Sequence, residues 1–137
     1  MIMQIKKEFP PIYDSLLKAG MQPSDKTVYT YGDTIYNPGG HEIPMDLKIH
    51  EETHGEQQGN DPDKWWDRYL QDPYFRIQEE TVAYGRQYAY ACKHIIKDRN
   101  KQVQFLMMIA DVLSGPIYGN MIGKNAAVRM IKEKSNQ

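Results

Sequence analysis

The spacing of apolar positions changes period several times along the chain, and each change marks a new element. Between about Pro10 and Lys18, Ile12, Leu16 and Leu17 fall on one side of a short helix, which Gly20 ends. Thr27-Val28-Tyr29-Thr30-Tyr31 is then rich in β-branched and aromatic residues. Gly32-Asp33 is turn material, and Thr34-Ile35-Tyr36 resumes the strand pattern before Asn37-Pro38-Gly39-Gly40 stops it. Lys26 to Tyr36 is therefore expected to be a hairpin or edge-strand region. A helical segment follows, with Pro44 suited to its start, Leu47 and Ile49 as apolar contacts, and Gly59 as its stop after Gln57-Gln58.

The second half of the chain reads as helices throughout. Asn60-Asp61-Pro62 opens a short one carrying Trp65, Trp66, Tyr69 and Leu70. Asp72 as N-cap and Pro73 at the first helical position then begin a long one that extends toward Lys97. Two more are expected from about Gln102 to Leu113 and from about Lys124 to Lys132. No internal repeat, heptad series or low-complexity segment interrupts the order. The pattern predicts an α+β fold, mostly helical, with a small sheet or hairpin ahead of the Pro44 helix. At 137 residues the size prior favours a single domain.

Chemistry concentrates in that Pro44 helix, where His50-Glu51-Glu52-Thr53-His54 reads H-E-x-x-H. Four residues make about one helical turn, so His50 and His54 project side by side and can each give a nitrogen to one Zn²⁺. Two imidazoles and a third ligand leave a position for water, whose pKa the metal lowers toward ~7. Glu51 lies about 100° round the helix from His50, which turns its carboxylate toward that water as a general base. A carboxylate suited to the third position follows in Arg76-Ile77-Gln78-Glu79-Glu80-Thr81-Val82-Ala83-Tyr84 on the long helix.

His50 to His54, followed by Glu80-Thr81-Val82-Ala83 as E-x-x-A, resembles the zincin metallopeptidases of the gluzincin type, in which a Glu on a later helix completes the metal site. The resemblance covers roughly Thr27 to Tyr90. It implies His50 and His54 as ligands, Glu80 as third ligand, Glu51 as base and a peptide or protein as substrate. Leu113 to Asn120 adds a resemblance to the small zincin-like proteins of bacteriophages and prophages. The residues after His54, Gly55-Glu56-Gln57-Gln58-Gly59, lack the third His of the metzincins. Glu79 is the rival to Glu80. Adjacent helical residues diverge by about 100°, so one of them faces the metal and the other turns away. The family spacing favours Glu80, as do Arg76 and Tyr84 at i−4 and i+4 on its face.

Several other residues are candidates for service to this site. The resemblance implies an extended substrate added to an edge strand beside the metal, which makes Thr34 to Tyr36 the candidate template, with an ordinary hairpin strand as its alternative. Tyr118, within Gly115-Pro116-Ile117-Tyr118-Gly119, is the candidate phenol for stabilising an oxyanion, with packing in a turn as its alternative. The Trp65-Trp66 pair fits core packing or a partner surface better than a pocket lining. His41 reads as a loop residue, and His94, about four turns beyond Glu80, as structural. Asp46, one turn before His50, is a candidate to support its imidazole.

Composition narrows the partners. Seventeen Lys and Arg against eighteen Asp and Glu give a formal net charge of −1, with the signs mixed along the chain. No general attraction to nucleic acid or to a membrane surface is expected from that balance. No apolar stretch approaches the ~20 residues of a membrane span, and the start through Lys7 lacks the apolar region of a secretory signal. The expected setting is cytoplasmic, the host cytoplasm for a phage-encoded chain. Cys92 is the sole cysteine and reads as a core residue. Two function classes remain: a zinc-dependent hydrolase, or a binding or regulatory protein on the same scaffold with structural or lost metal. In a third reading, His50 and His54 are unconnected polar residues on a helix surface.

Overall fold

The computed structural model describes residues 3–136. It is a mostly helical α+β fold in which a three-stranded sheet precedes five of the six helices. The order is β1 (Gln4–Lys6), α1 (Tyr13–Lys18), β2 (Tyr29–Tyr31), β3 (Thr34–Tyr36), α2 (Met45–Gln58), α3 (Pro62–Gln71), α4 (Pro73–His94), α5 (Arg99–Leu113), a 3₁₀ turn (Pro116–Tyr118) and α6 (Lys124–Ser135). Among the described residues, no helix is long and apolar enough to cross a membrane.

β2 and β3 form the expected hairpin. Their loop is the two residues Gly32-Asp33, and Gly32 takes a positive φ of 64° as the first of them, which costs a residue without a Cβ little. Thr34–Tyr36, however, is not an edge. β1 pairs with it in parallel on one side and β2 antiparallel on the other, so the sheet runs β1-β3-β2 and the edge beside the helices is β2. The edge-strand template expected at Thr34 to Tyr36 is thus displaced to its hairpin partner. β1 was not evident as a strand because three exposed residues carry no period-2 signal.

Helix boundaries follow local capping chemistry. Asp61 accepts from Lys64 N at the start of α3, Asp72 from Tyr74 N and Phe75 N at the start of α4, and Asp98 from Lys101 N at the start of α5. α4 ends at His94, short of Lys97, and α5 begins at Arg99, earlier than its apolar pattern alone suggests. α1 begins at Tyr13 and α6 runs on to Ser135.

Two apolar clusters hold the molecule. Ile12, Leu16, Tyr29, Tyr36, Trp65, Trp66 and Tyr69 join α1, the hairpin and α3. Ile77, Leu106, Ile109, Ala110, Leu113, Ala127 and Ile131 join α4, α5 and α6. α2 belongs to neither. Its buried side is polar, made by His50, Glu51, Thr53, His54 and Gln58 around Gly55. The helix lies against α4 and β2, between the two clusters.

Candidate metal centre

His50 and His54 sit one turn apart on α2, and both imidazoles face α4 from a buried position. Glu80 on α4 meets them. Its Oε1 lies 3.0 Å from His50 Nε2 and 3.0 Å from His54 Nε2, and the two Nε2 atoms are 3.2 Å apart. Glu79 turns away and accepts from Trp65 Nε1 at 2.8 Å, which settles which neighbour faces the histidines.

The tautomer of each neutral ring is set from behind. His50 Nδ1 donates to Gln87 Oε1 at 2.9 Å, and Gln87 is oriented because its Nε2 donates to Asp46 Oδ2. His54 Nδ1 donates to Gln57 Oε1 at 2.8 Å, and Gln57 is oriented because its Nε2 donates to the Glu79 carbonyl. With the neutral ring's one hydrogen on Nδ1, each Nε2 carries a lone pair. When both rings are neutral, two lone pairs and a carboxylate oxygen converge on one buried point. Such a triangle can be held together by a shared proton or by a metal ion. Its edges of 3.0 to 3.2 Å are close to the ~3.3 Å edge of a tetrahedron whose bonds are about 2.0 Å, the distance for small divalent ions on nitrogen and oxygen. The donor set fits a metal ion, and buried His50, His54 and Glu80 can hold one.

Electrostatics couple the three groups closely. Burial alone would raise Glu80, yet His54 and His50 beside it outweigh burial and hold its carboxyl well below the usual range. Burial would likewise lower His54, but the Glu80 carboxylate raises it to about 9. The remaining oxygen of Glu80 accepts from the Tyr69 phenol at 2.5 Å, so only Oε1 is presented to the histidines.

Glu51 is adjacent to this triangle and outside it. The Thr30 hydroxyl on β2 lies 2.9 Å from its Oε1, while Oε2 lies 3.9 Å from His50 Nε2. Burial pushes the Glu51 carboxyl up, against the lowering influence of His50 and His54. The triangle, Glu51, Tyr69, Tyr84 and Tyr118 all line one cavity of about 370 Å³.

Tyr118 reaches this cavity through the 3₁₀ turn. Its phenol is 3.2 Å from that of Tyr84, whose ring packs edge-on to His50 with centroids 4.4 Å apart. Burial, reinforced by Glu80, pushes both phenols upward, so each keeps its hydrogen at neutral pH. One hydrogen makes the bond between them and the other is free for a third group.

Other candidates take different places. Arg76 donates to the Tyr69 and Leu70 carbonyls and does not touch Glu80. Trp66 is core and also lines the cavity. His41 lies in a loop, and His94 is exposed at the end of α4 with its ring against Tyr90. Asp46 supports His50 through Gln87 instead of directly. Gln57, Gln87, Tyr69 and Thr30 were not picked out by the sequence reading. Helical spacing contained a signal for the first two, since Gln57 is three residues after His54 and Gln87 is two turns after Glu80. Nothing local pointed to Tyr69 or Thr30, which arrive on other elements. Compared with protein-family models, curated proteins and solved structures, the chain matches none.

Proposed function

We propose that this protein is a zinc-dependent hydrolase that cleaves a peptide or related amide bond, with His50, His54 and Glu80 holding the ion and Glu51 as general base. The observation that carries the reading is the position of Glu51. A buried carboxylate, hung by one oxygen from Thr30, has its other oxygen 3.9 Å from a ligand nitrogen and stays outside the ligand set. That is the place from which a base reaches a water at the ion. Bound there, Zn²⁺ supplies Lewis acidity to a carbonyl oxygen and to water.

The chain's own groups do the rest. Glu51 removes a proton from the attacking water and returns it to the leaving nitrogen. Its raised affinity for protons suits both halves of that exchange. Tyr118 and Tyr84 have one phenolic hydrogen to spare, and the pair donates it to the oxyanion that develops on the substrate carbonyl. Thr30 and Tyr69 hold Glu51 and Glu80 in place.

The test combines metal analysis with hydrolysis. Purified without chelators, the protein is expected to carry one zinc, and His54→Ala to lose it. Glu51→Gln is expected to keep the zinc and to cleave a denatured protein substrate ~10²- to 10⁴-fold more slowly. Equal rates for Glu51→Gln and the parent would remove Glu51 from the mechanism.

A further inference from the structure

The last turn of α6 packs against α4 at Gly85, where a Cβ would meet Lys134 Cβ at 2.6 Å. That close approach sets Lys134 beside the side of α4 that carries Arg86, Ala89, Tyr90 and Lys93, residues that the helical period places on one face. A second recess of about 370 Å³ lies between these elements and α2. Ile49 of α2 and Ala89 are its apolar lining, and Arg86, Lys93, His94 and Lys134 are its basic groups. None of His50, Glu51, His54 and Glu80 lines it, because neighbouring helical residues diverge by about 100° and Ile49 faces a different way from His50.

No carboxylate lines this recess. Arg86 is in an ion pair, through one terminal nitrogen, with Glu56 on α2 at 2.5 Å. Lys93 and Lys134 are in no ion pair among the described residues. Lys93 and His94 belong to the last turn of α4 and Lys134 to that of α6, where positive groups offset the carbonyl ends of the helices. That accounts for a cation at each helix end. It does not account for three cations, from two helices, gathered round one recess in a chain whose formal net charge is −1. Like charges held together in this way raise the local potential and attract a polyvalent anion.

We propose that the recess is a binding site for a phosphate group, free or carried as the monoester of a small organic molecule. Arg86 spends one terminal nitrogen on Glu56 and has further N–H donors for phosphate oxygens, while Lys93 and Lys134 act as point charges on the same group. Three cations favour a doubly charged phosphate over a singly charged carboxylate. Ile49, Ala89 and the ring of Tyr90, which packs 4.6 Å from that of His94, accommodate the organic part of a monoester. The site stands apart from the hydrolase reading, and the failure of either leaves the other intact.

NMR titration of the isotope-labelled protein as purified tests this, with inorganic phosphate in one series, phenyl phosphate in a second, and chloride at matched ionic strength as the control. Saturating shifts at the amides of Ala89, Tyr90, Lys93 and Ser135 are expected with phosphate and not with chloride. Tighter binding of phenyl phosphate identifies the monoester as the ligand class, and equal or weaker binding identifies the free ion. Lys93→Gln and Lys134→Gln should each weaken binding about tenfold with thermal unfolding unchanged, and Glu56→Gln, which frees Arg86, should strengthen it. Shifts confined to the residues around His50 and His54 put the phosphate at the metal centre and overturn the inference. Absence of saturation, equal shifts with chloride, or affinities that neither lysine variant changes overturn it too.

Discussion

Tyr69 on α3 donates its phenolic hydrogen to Glu80 Oε2 at 2.5 Å, deep in the interior and one helix away from the residue it serves. This bond holds one carboxylate oxygen so that the other faces His50 and His54. Outer-shell partners of this kind commonly change metal affinity 10- to 100-fold when deleted. Tyr69→Phe keeps the ring that packs on Trp65 and Trp66 and removes only the donor. We expect a 10- to 100-fold weaker zinc affinity in competition with a chromogenic chelator. An unchanged affinity would mean that Tyr69 is packing alone.

Glu79 and Glu80 are adjacent and face different partners, Trp65 and the histidines respectively. Glu80→Gln should abolish stoichiometric metal, because a neutral amide replaces the anionic donor. Glu79→Gln should retain it, with at most a modest loss of stability from a weakened indole contact. Metal content by mass spectrometry on the two variants separates them; equal loss in both would contradict the assignment.

Metal affinity should depend on pH with a definite sign. Glu80 raises His54 to about 9 in the ion-free protein, so below that pH a cation must displace a proton to use the Nε2 lone pair. Affinity should therefore fall about tenfold for each unit the pH is lowered from 9 through neutrality, with release of one proton per ion bound. Chelator competition at pH 6.5, 7.5 and 8.5 checks the slope. A flat profile would show that His54 binds no proton in that window.

The long helix α4 crosses α6 at Gly85, where an added Cβ would meet Lys134 Cβ at 2.6 Å and the Lys134 backbone carbon at 2.9 Å. Gly85→Ala gains helix propensity and loses this close approach. Because backbone is among the atoms met, α6 must shift, and we expect a net loss of about 1–3 kcal/mol in urea unfolding. A variant as stable as the parent would show that α6 moves aside at little cost.

The phenol pair gives a kinetic prediction. On the hydrolase proposal, Tyr118→Phe and Tyr84→Phe should each lower kcat with little change in KM, since a hydrogen donated to the oxyanion would count only as that charge develops. The loss in the double variant should be well short of the product of the two single losses, because the phenols act as a unit. A multiplicative loss would mean that the two act separately.

Much of this was legible before any coordinates. The alternation around Gly32-Asp33, the Asp-Pro starts of α3 and α4, and the placing of His50 and His54 on one face all follow from period and capping, which act over a few residues. So did the choice of Glu80, though the reason offered from Arg76 did not survive: that guanidinium closes the α3–α4 corner. What stayed hidden depends on residues far apart in the chain. Strand order follows from where β1 docks, and β1 has no pattern of its own. Thr30 to Glu51, Tyr69 to Glu80 and Gln58 to Gly32 are pairs that only the packed arrangement of helices brings within bonding distance.

The polar inner side of α2 has a mechanical consequence. Each apolar cluster closes on itself, one around α3 and the hairpin, the other around α4 to α6, and the seam between them is stitched by imidazoles, carboxamides and carboxylates. Groups of this sort cohere best while their charges balance, so on the metal-bound reading stripping the ion with a chelator should loosen the seam before it melts either half. Amide exchange in α2 would then quicken well ahead of that in α5.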